Sequence, residues 1–462
     1  MNRHIRPTCP AAPSPSPERD GIVRESFTIE LVTPMFGGGV EAGCNDPITL
    51  IRPSSIRGQL RFWWRATRGA RFESLGDLRR QEGKIWGKTQ RGSPVSIEIV
   101  REQVSSEDQR LWAEHRSDER SGGVRSVPTP LDRNFPVYAL FPFQGETKKH
   151  GRNYTVTKMP AKATWRASFE LRLVWPKLLK TSNEPNAAGQ DIESDVRAAL
   201  WAWVNFGGLG SRTRRGCGAL YADMLSPAAQ TDVGKWYVDK LHEFEISPVD
   251  LPRDWPTLPH TLLHGSGKVS PWEAWGRVLS LLQTFRQGPG IGRNQGSGTR
   301  PGRSRWPEPE SIREICNRKT NRPVRPPEQK WRDENIPVDF FPRAEFGMPI
   351  IFDIRGEGLK LTLQPDLAIS RMASPLILKP LSVASGQALP LVLCFNTKPV
   401  EKAILAGKEG LREAYQVSSS QIRNNELEKY PNSPLKNSSG TGSALEAFLQ
   451  FARQNGFQEV GK

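Results

Sequence analysis

Cysteine and histidine are scarce in this 462-residue chain, five and six in all. Cys9, Cys44, Cys217, Cys316 and Cys394 form no C-x-x-C pair, which argues against a cysteine zinc site and a disulfide framework. No apolar run approaches the roughly 18 residues needed to cross a bilayer, and the start of the chain lacks the apolar stretch of a secretory signal. A cytoplasmic protein with no membrane partner is expected. The G-x-x-x-x-G-K-S/T phosphate loop and the G-x-G-x-x-G dinucleotide turn are missing, so neither of those nucleotide-binding classes is indicated. His260 and His264 stand four apart as HTLLH, but the glutamate of H-E-x-x-H is absent and no third ligand is apparent. Asp46 is an isolated carboxylate. No catalytic residue, metal or cofactor is expected.

Acidic residues are also in short supply: 65 lysines and arginines face 49 aspartates and glutamates, a formal charge of +16. A polyanion, nucleic acid first, is the partner such a balance suits; the plain alternative is a basic soluble protein with no such partner. Hydrophobic residues at 36% and 14 tryptophans are enough for two or three folded domains.

Residues 1–20, rich in proline, serine and arginine without apolar periodicity, read as a disordered tail. From Ile22 to Thr33 the pattern alternates as in a half-buried strand, then breaks at Pro34 and Gly37, Gly38, Gly39. Pro53 opens a helix that runs to Gly69. Strands are expected over 95–100 and 165–175, and a helix over 191–206 that ends in GGLGSRTRRGCGAL. Strand, helix, strand, strand, helix fits a ferredoxin-like βαββαβ unit with a loop-rich insertion over about 101–162. A second unit is expected from about 233, with a strand near 242–246, a helix over 271–285, strands over 347–354 and 375–383, a last apolar strand over 388–395 and a helix over 444–452. The expected fold class is α+β, with an N-terminal domain over 21–232 and a C-terminal one over 233–462. The latter carries a basic loop over 286–332, whose glycine- and arginine-rich part, 288–306, reads as flexible and outside any core.

On the first helix Arg57, Arg61, Arg65 and Arg68 fall at i, i+4, i+8 and i+11, a single cationic stripe beside an apolar face of Ile56, Leu60, Trp63 and Thr67. Arginine makes bidentate charge-assisted bonds to phosphate, so the stripe suits a nucleic-acid backbone. The alternative is a solvated face balanced by glutamates from other elements. Trp64, at the edge of the stripe, either stacks on a base or caps the core. Arg52 and Ser54 flank the helix start. The second candidate is Gly207–Gly218, which frames Arg212, Arg214 and Arg215 with glycines, Gly208 and Gly210 among them. Such a loop can turn backbone N–H groups toward an anion, or can be a plain connector.

FTIELVTPMFGGG, IRPSSIRGQLRFWWRA and GGLGSRTRRGCGAL together resemble the repeat-associated mysterious protein (RAMP) superfamily of CRISPR effector subunits. With FPRAEFGMPI (341–350) and RMASPLILKP (371–380), the likeness narrows to the first subunits of type III-B Cmr modules. The resemblance implies two ferredoxin-like, RRM-related domains and assembly with other Cmr subunits on a guide RNA, near its 3′ end. It further implies contact with guide or target RNA and cleavage by other subunits. Two rival readings stand beside it. One is a metal-independent endoribonuclease, for which His242 or His260 would have to reach the glycine loop. The other is a protein–protein adaptor.

Overall fold

A computed structural model describes residues 21–37, 45–46, 49–118, 123–128, 137–150, 153–180, 189–190, 192–298, 302–320, 339–354, 358–409, 413–430 and 432–461. The tail 1–20, Gly38, Gly39 and residues 321–338 of the basic stretch lie outside them.

The first half is built on strands β1 (Ile22–Leu31), β2 (Ser96–Gln103), β3 (Ser168–Pro176) and β4 (Leu220–Tyr221), with helices α1 (Pro53–Arg68), α2 (Leu75–Trp86) and α3 (Glu193–Phe206). β1 alternates as expected: Phe27, Ile29 and Leu31 are buried, and β3 turns Phe169, Leu171, Leu173 and Trp175 to the same core. The register pairs Phe27 with Leu171 and Ile29 with Phe169. The sheet is antiparallel throughout and ordered β4-β1-β3-β2, a βαββαβ connectivity with the fourth and first strands adjacent. α2 escaped the sequence reading. Ser74 caps it by accepting from the Asp77 amide at 3.1 Å, and Leu78, Ile85 and Trp86 carry its buried face.

The second half begins with a correction. Residues 242–246 are not a strand; Val233–Glu243 forms helix α4, capped by Asp232, which accepts from the Lys235 amide at 2.9 Å. Trp236, Tyr237 and Leu241 recur at helical spacing and bury together, which overrides a short apolar alternation. There follow β5 (Leu262–Gly265), α5 (Pro271–Gln287), α6 (Glu308–Thr320), β6 (Ile350–Ile354), β7 (Leu359–Gln364), β8 (Leu376–Ala384), β9 (Gln387–Cys394), β10 (Lys402–Glu409), β11 (Tyr415–Ser418), α7 (Ala444–Gln454) and β12 (Phe457–Val460). One antiparallel sheet runs β8-β9-β5-β12, so that β5, α5, β8, β9, α7 and β12 repeat the connectivity and strand order of the first sheet. A second correction concerns 347–354 and 388–395. The former belongs to a separate sheet, β6-β7-β10-β11, inserted into this unit; the latter is a central strand, not the last.

The insertion over 101–162 holds two hairpins, Ala113–Asp118 with Gly123–Pro128 and Glu146–His150 with Asn153–Lys158, and a 3-10 segment, Val137–Phe143. It packs on the strand break after β1, where Phe143 stacks on Phe36 at 4.5 Å between ring centres. The main core is continuous from Phe27 in β1 to Leu381, Leu391 and Phe395 in the second half. α3 explains why. Val196 and every residue from Ala198 to Phe206 are buried, because the helix is enclosed by α1 on one side and β8 and α4 on others. Among the described residues no helix is long and apolar enough to cross a membrane.

Candidate nucleic-acid interface

α1 starts with Pro at its first position and buries Ile56, Leu60, Trp63, Trp64 and Thr67. Arg57, Arg61 and Arg65 stay half-exposed on the opposite side, with Ser54 and Gly58 exposed along the same face and Arg52 half-buried ahead of it. The acid missing from α1 comes from α2: Glu82, 4% exposed, accepts through one oxygen from Arg61 Nε and from an Arg65 terminal nitrogen, both at 2.6 Å. Arg57 donates to the Val95 carbonyl at 3.0 Å, and burial followed by repulsion from Arg61 lowers its pKa. Three guanidiniums against one carboxylate leave a net two positive charges (3 − 1 = 2).

One stripe residue is corrected, and the core reading holds for the tryptophan at its edge. Arg68, only 1% exposed, faces inward: it pairs with Asp195, donates to the Phe244 carbonyl at 2.6 Å and to Ser194 Oγ at 3.0 Å, and so ties α1 to the start of α3 and the end of α4. Its i+11 position lines up with the stripe in projection, but the last turn of the helix is covered. Trp64 is also 1% exposed and packs beside Phe72 in the main core, out of reach of a base.

The glycine loop differs from an anion nest in a consistent way. The amides of Leu209, Ser211, Arg215, Gly216 and Gly218 bond to carbonyls of Gly218, Phe36, Arg212, Thr213 and Pro34. Its glycines are needed for backbone contact. Gly218 has φ +64, and a Cβ there would lie 2.0 Å from the Leu209 carbonyl; at Gly208 it would lie 2.5 Å from that of Gly218. Gly210, φ +77, is pressed on the Phe36 and Gly37 carbonyls, so the two glycine-rich segments touch. Arg212 is left-handed (φ 57) and exposed.

Arg214 and Arg215 turn toward the second half. Arg214 lies between the rings of Phe62 and Phe395 at 5.3 and 5.5 Å and donates to the Ser374 carbonyl. Arg215 donates to the Leu376 carbonyl at 2.7 Å. Burial pulls Arg214 down to about 10 and Arg215 to about 9, the latter also through Arg212, Arg286 and Arg214. The 371–380 motif answers with Lys379, fully buried, whose Nζ donates to the Gly207 carbonyl at 2.9 Å at the end of α3. Burial lowers this lysine to about 7. A lysine inside the apolar run LILKPLSVA was the available signal for this contact; Glu82 and Asp195 had none without the fold.

The 288–306 segment is likewise corrected: it is ordered where described. Arg305 bonds Asn294 Oδ1 at 2.8 Å and the Gly290 carbonyl, and Trp306, 1% exposed, packs edge-on against Phe285. His260 is in coil, 3.3 Å from Asp250, while His264 is in β5, so the pair shares no helical face. Among the described residues no group of three or more His, Cys, Asp or Glu could hold a metal ion.

Residues 28–221, which take in most of the first sheet, the arginine helix and the glycine loop, match the family model of the RAMP superfamily. More particularly, the chain is similar to the CRISPR system Cmr subunit Cmr1-2 of Pyrococcus furiosus, 28% identical over 205 residues that cover 43% of this chain and 95% of that protein. Among solved structures it is similar to apo Cmr1 from Pyrococcus furiosus, at 19% identity and TM-score 0.37 over 82% of this chain and 89% of that one. A chain of a type III-B Cmr-beta complex bound to cognate target RNA and AMPPnP, in the presence of ssDNA, gives 13% and 0.42 over 93% and 98%.

Proposed function

We propose that the protein is a non-catalytic RNA-binding subunit of a type III-B CRISPR effector complex, assembled with other Cmr subunits and touching guide RNA near its 3′ end, target RNA, or both. In this reading both βαββαβ units are ferredoxin-like, RRM-related domains, over 21–232 and 233–462, and the complex is cytoplasmic. The observation that carries it is the exposed face of α1: Ser54, Arg57, Gly58, Arg61 and Arg65 present a net two positive charges with one buried carboxylate to offset them. Nearby, α1 meets the start of the glycine loop, where a Cβ on Gly207 would lie 2.5 Å from Trp63 Nε1. Backbone phosphates bind such a surface by charge neutralisation, while sequence selection belongs to base pairing with the guide.

A salt series of single-stranded RNA binding tests it. Wild type should bind with a steep salt slope. Replacing Arg57, Arg61 and Arg65 by alanine should flatten the slope by about 1.4, two net charges at ~0.7 each. Equal slopes would remove α1 from the interface. RNA that stays intact in EDTA is the expected result for a binding subunit; cleavage that stops on replacement of His242 or His260 would make the chain a nuclease. The adaptor reading draws on Arg68, Arg214 and Arg215, whose bonds are internal. It requires assembly with Cmr subunits without RNA affinity in the isolated chain.

A further inference from the structure

We propose that Arg212, Arg215, Arg286 and the hydroxyl of Tyr138 form a binding site for one phosphate group at the seam between the two halves of the protein. The proposal rests on the RNA-binding reading and extends it to two residues, Tyr138 and Arg286, that lie outside the arginine helix and the glycine loop.

Three segments far apart in the chain supply the site. Arg215, in the glycine loop, brings a terminal nitrogen to 3.5 Å from the Phe346 carbonyl. Arg286, in the last turn of α5, lies over the ring of the same Phe346 at 5.5 Å and over the ring of Tyr138 at 5.7 Å. Tyr138 belongs to the 3-10 segment of the insertion, so the insertion supplies the ring on which the Arg286 guanidinium lies. The Tyr138 phenol carries an O–H that can donate to an anion. Arg212 is close enough to Tyr138 and Arg215 to interact with both electrostatically, and it is the exposed member of the group.

What distinguishes this cluster is its excess of cations over anions, with Glu308 the acid that acts on Arg286. Among the described residues no carboxylate pairs with Arg212, Arg215 or Arg286. The acid within reach, Glu308, is fully buried and held by Arg343, whose Nε lies 3.1 Å from Glu308 Oε1 and whose amide donates to the same oxygen at 2.9 Å. Arg286 Nε is buried without a hydrogen-bond partner. Burial, then repulsion from Arg212, Arg286 and Arg214, lowers the pKa of Arg215, and burial lowers that of Arg286 with Arg343 adding to it and Glu308 opposing it; arginine keeps its proton at neutral pH, so the cations outnumber the one acid near them in a partly desolvated site. Leaving a buried donor unmade and crowding like charges both cost free energy that a tetrahedral oxyanion would relieve.

A phosphate there has two possible sources, an RNA backbone or a free or terminal phosphate, and two measurements separate them. The first is thermal unfolding of the whole chain in inorganic phosphate against chloride at equal ionic strength. The second is anisotropy of fluorescent single-stranded RNA, with and without a terminal phosphate. Both are made on wild type, Arg286→Gln and Tyr138→Phe, the last removing one oxygen with little risk to folding. Phosphate should raise the wild-type melting temperature, less so in Tyr138→Phe and not in Arg286→Gln. Affinity for RNA should fall about tenfold in Arg286→Gln, the loss of one charge-assisted contact. No phosphate-dependent shift in wild type, together with unchanged RNA binding in both variants, would overturn the site. Loss of the phosphate shift with unchanged affinity for unphosphorylated RNA would keep the site and assign it to free or terminal phosphate. A phosphate shift in a wild-type chain that binds no RNA would keep the site and defeat the RNA-binding reading instead.

Discussion

Arg68 and Gly218 show how residues that look functional in a sequence can be structural. Arg68 makes its three bonds inside the fold, so Arg68→Ala leaves Asp195 without its cation and the Phe244 carbonyl with only the Ser194 hydroxyl, at 3.4 Å. A loss of about 3–5 kcal/mol is expected in urea unfolding, the usual cost of breaking a buried pair. Gly218→Ala should lose at least ~1–3 kcal/mol from the left-handed backbone alone, with the Leu209 contact adding to it. Lys379 makes a pH-dependent contribution. Its folded pKa, about 7, lies below the 10.5 of an unburied lysine. Between those values the unfolded chain holds a proton that the folded chain lacks, so this residue makes stability rise with pH from about 7 toward 10.5. Urea midpoints measured across that window should lose this rise in Lys379→Met.

At the scale of elements, α1 and α2 act as a pair. Glu82 holds Arg61 and Arg65 together, which spaces the cations and halves their excess charge. Glu82→Gln should therefore steepen the salt dependence of RNA binding by about 0.7, the slope of one further phosphate contact; an unchanged slope would mean that Arg61 and Arg65 do not meet RNA. The elements themselves were largely legible, because β1, β3, α1, α3, α5 and α7 carry strong periodicity. α2 was not, since its window SLGDLRRQEGKIW is mostly polar and only Leu78, Ile85 and Trp86 mark a face. α4 was misread because five residues can alternate like a strand inside a helical pattern. The cationic helix was visible from spacing alone, but which arginines remain outside depends on partners such as Glu82 and Asp195, 17 to 127 residues away along the chain. No local pattern encodes those pairings.

The whole molecule repeats one βαββαβ plan twice and then fuses the copies. Arg214, Arg215 and Lys379 cross the seam with bonds to backbone carbonyls, and α3 is enclosed from both sides. A chain cut at 232 would expose the face of α3 that meets β8, so the 21–232 piece should be less cooperative in thermal unfolding than the intact protein, which should melt its shared core in one step. Independent melting of two cores would contradict the continuous cluster.

That enclosure of α3 sets a schedule for biosynthesis. Glu193–Phe206 is made before β8, which covers it and begins 170 residues further on (376 − 206 = 170). Until then the flank of α3 that β8 covers, in the buried run Ala198–Phe206, has no cover from its own chain.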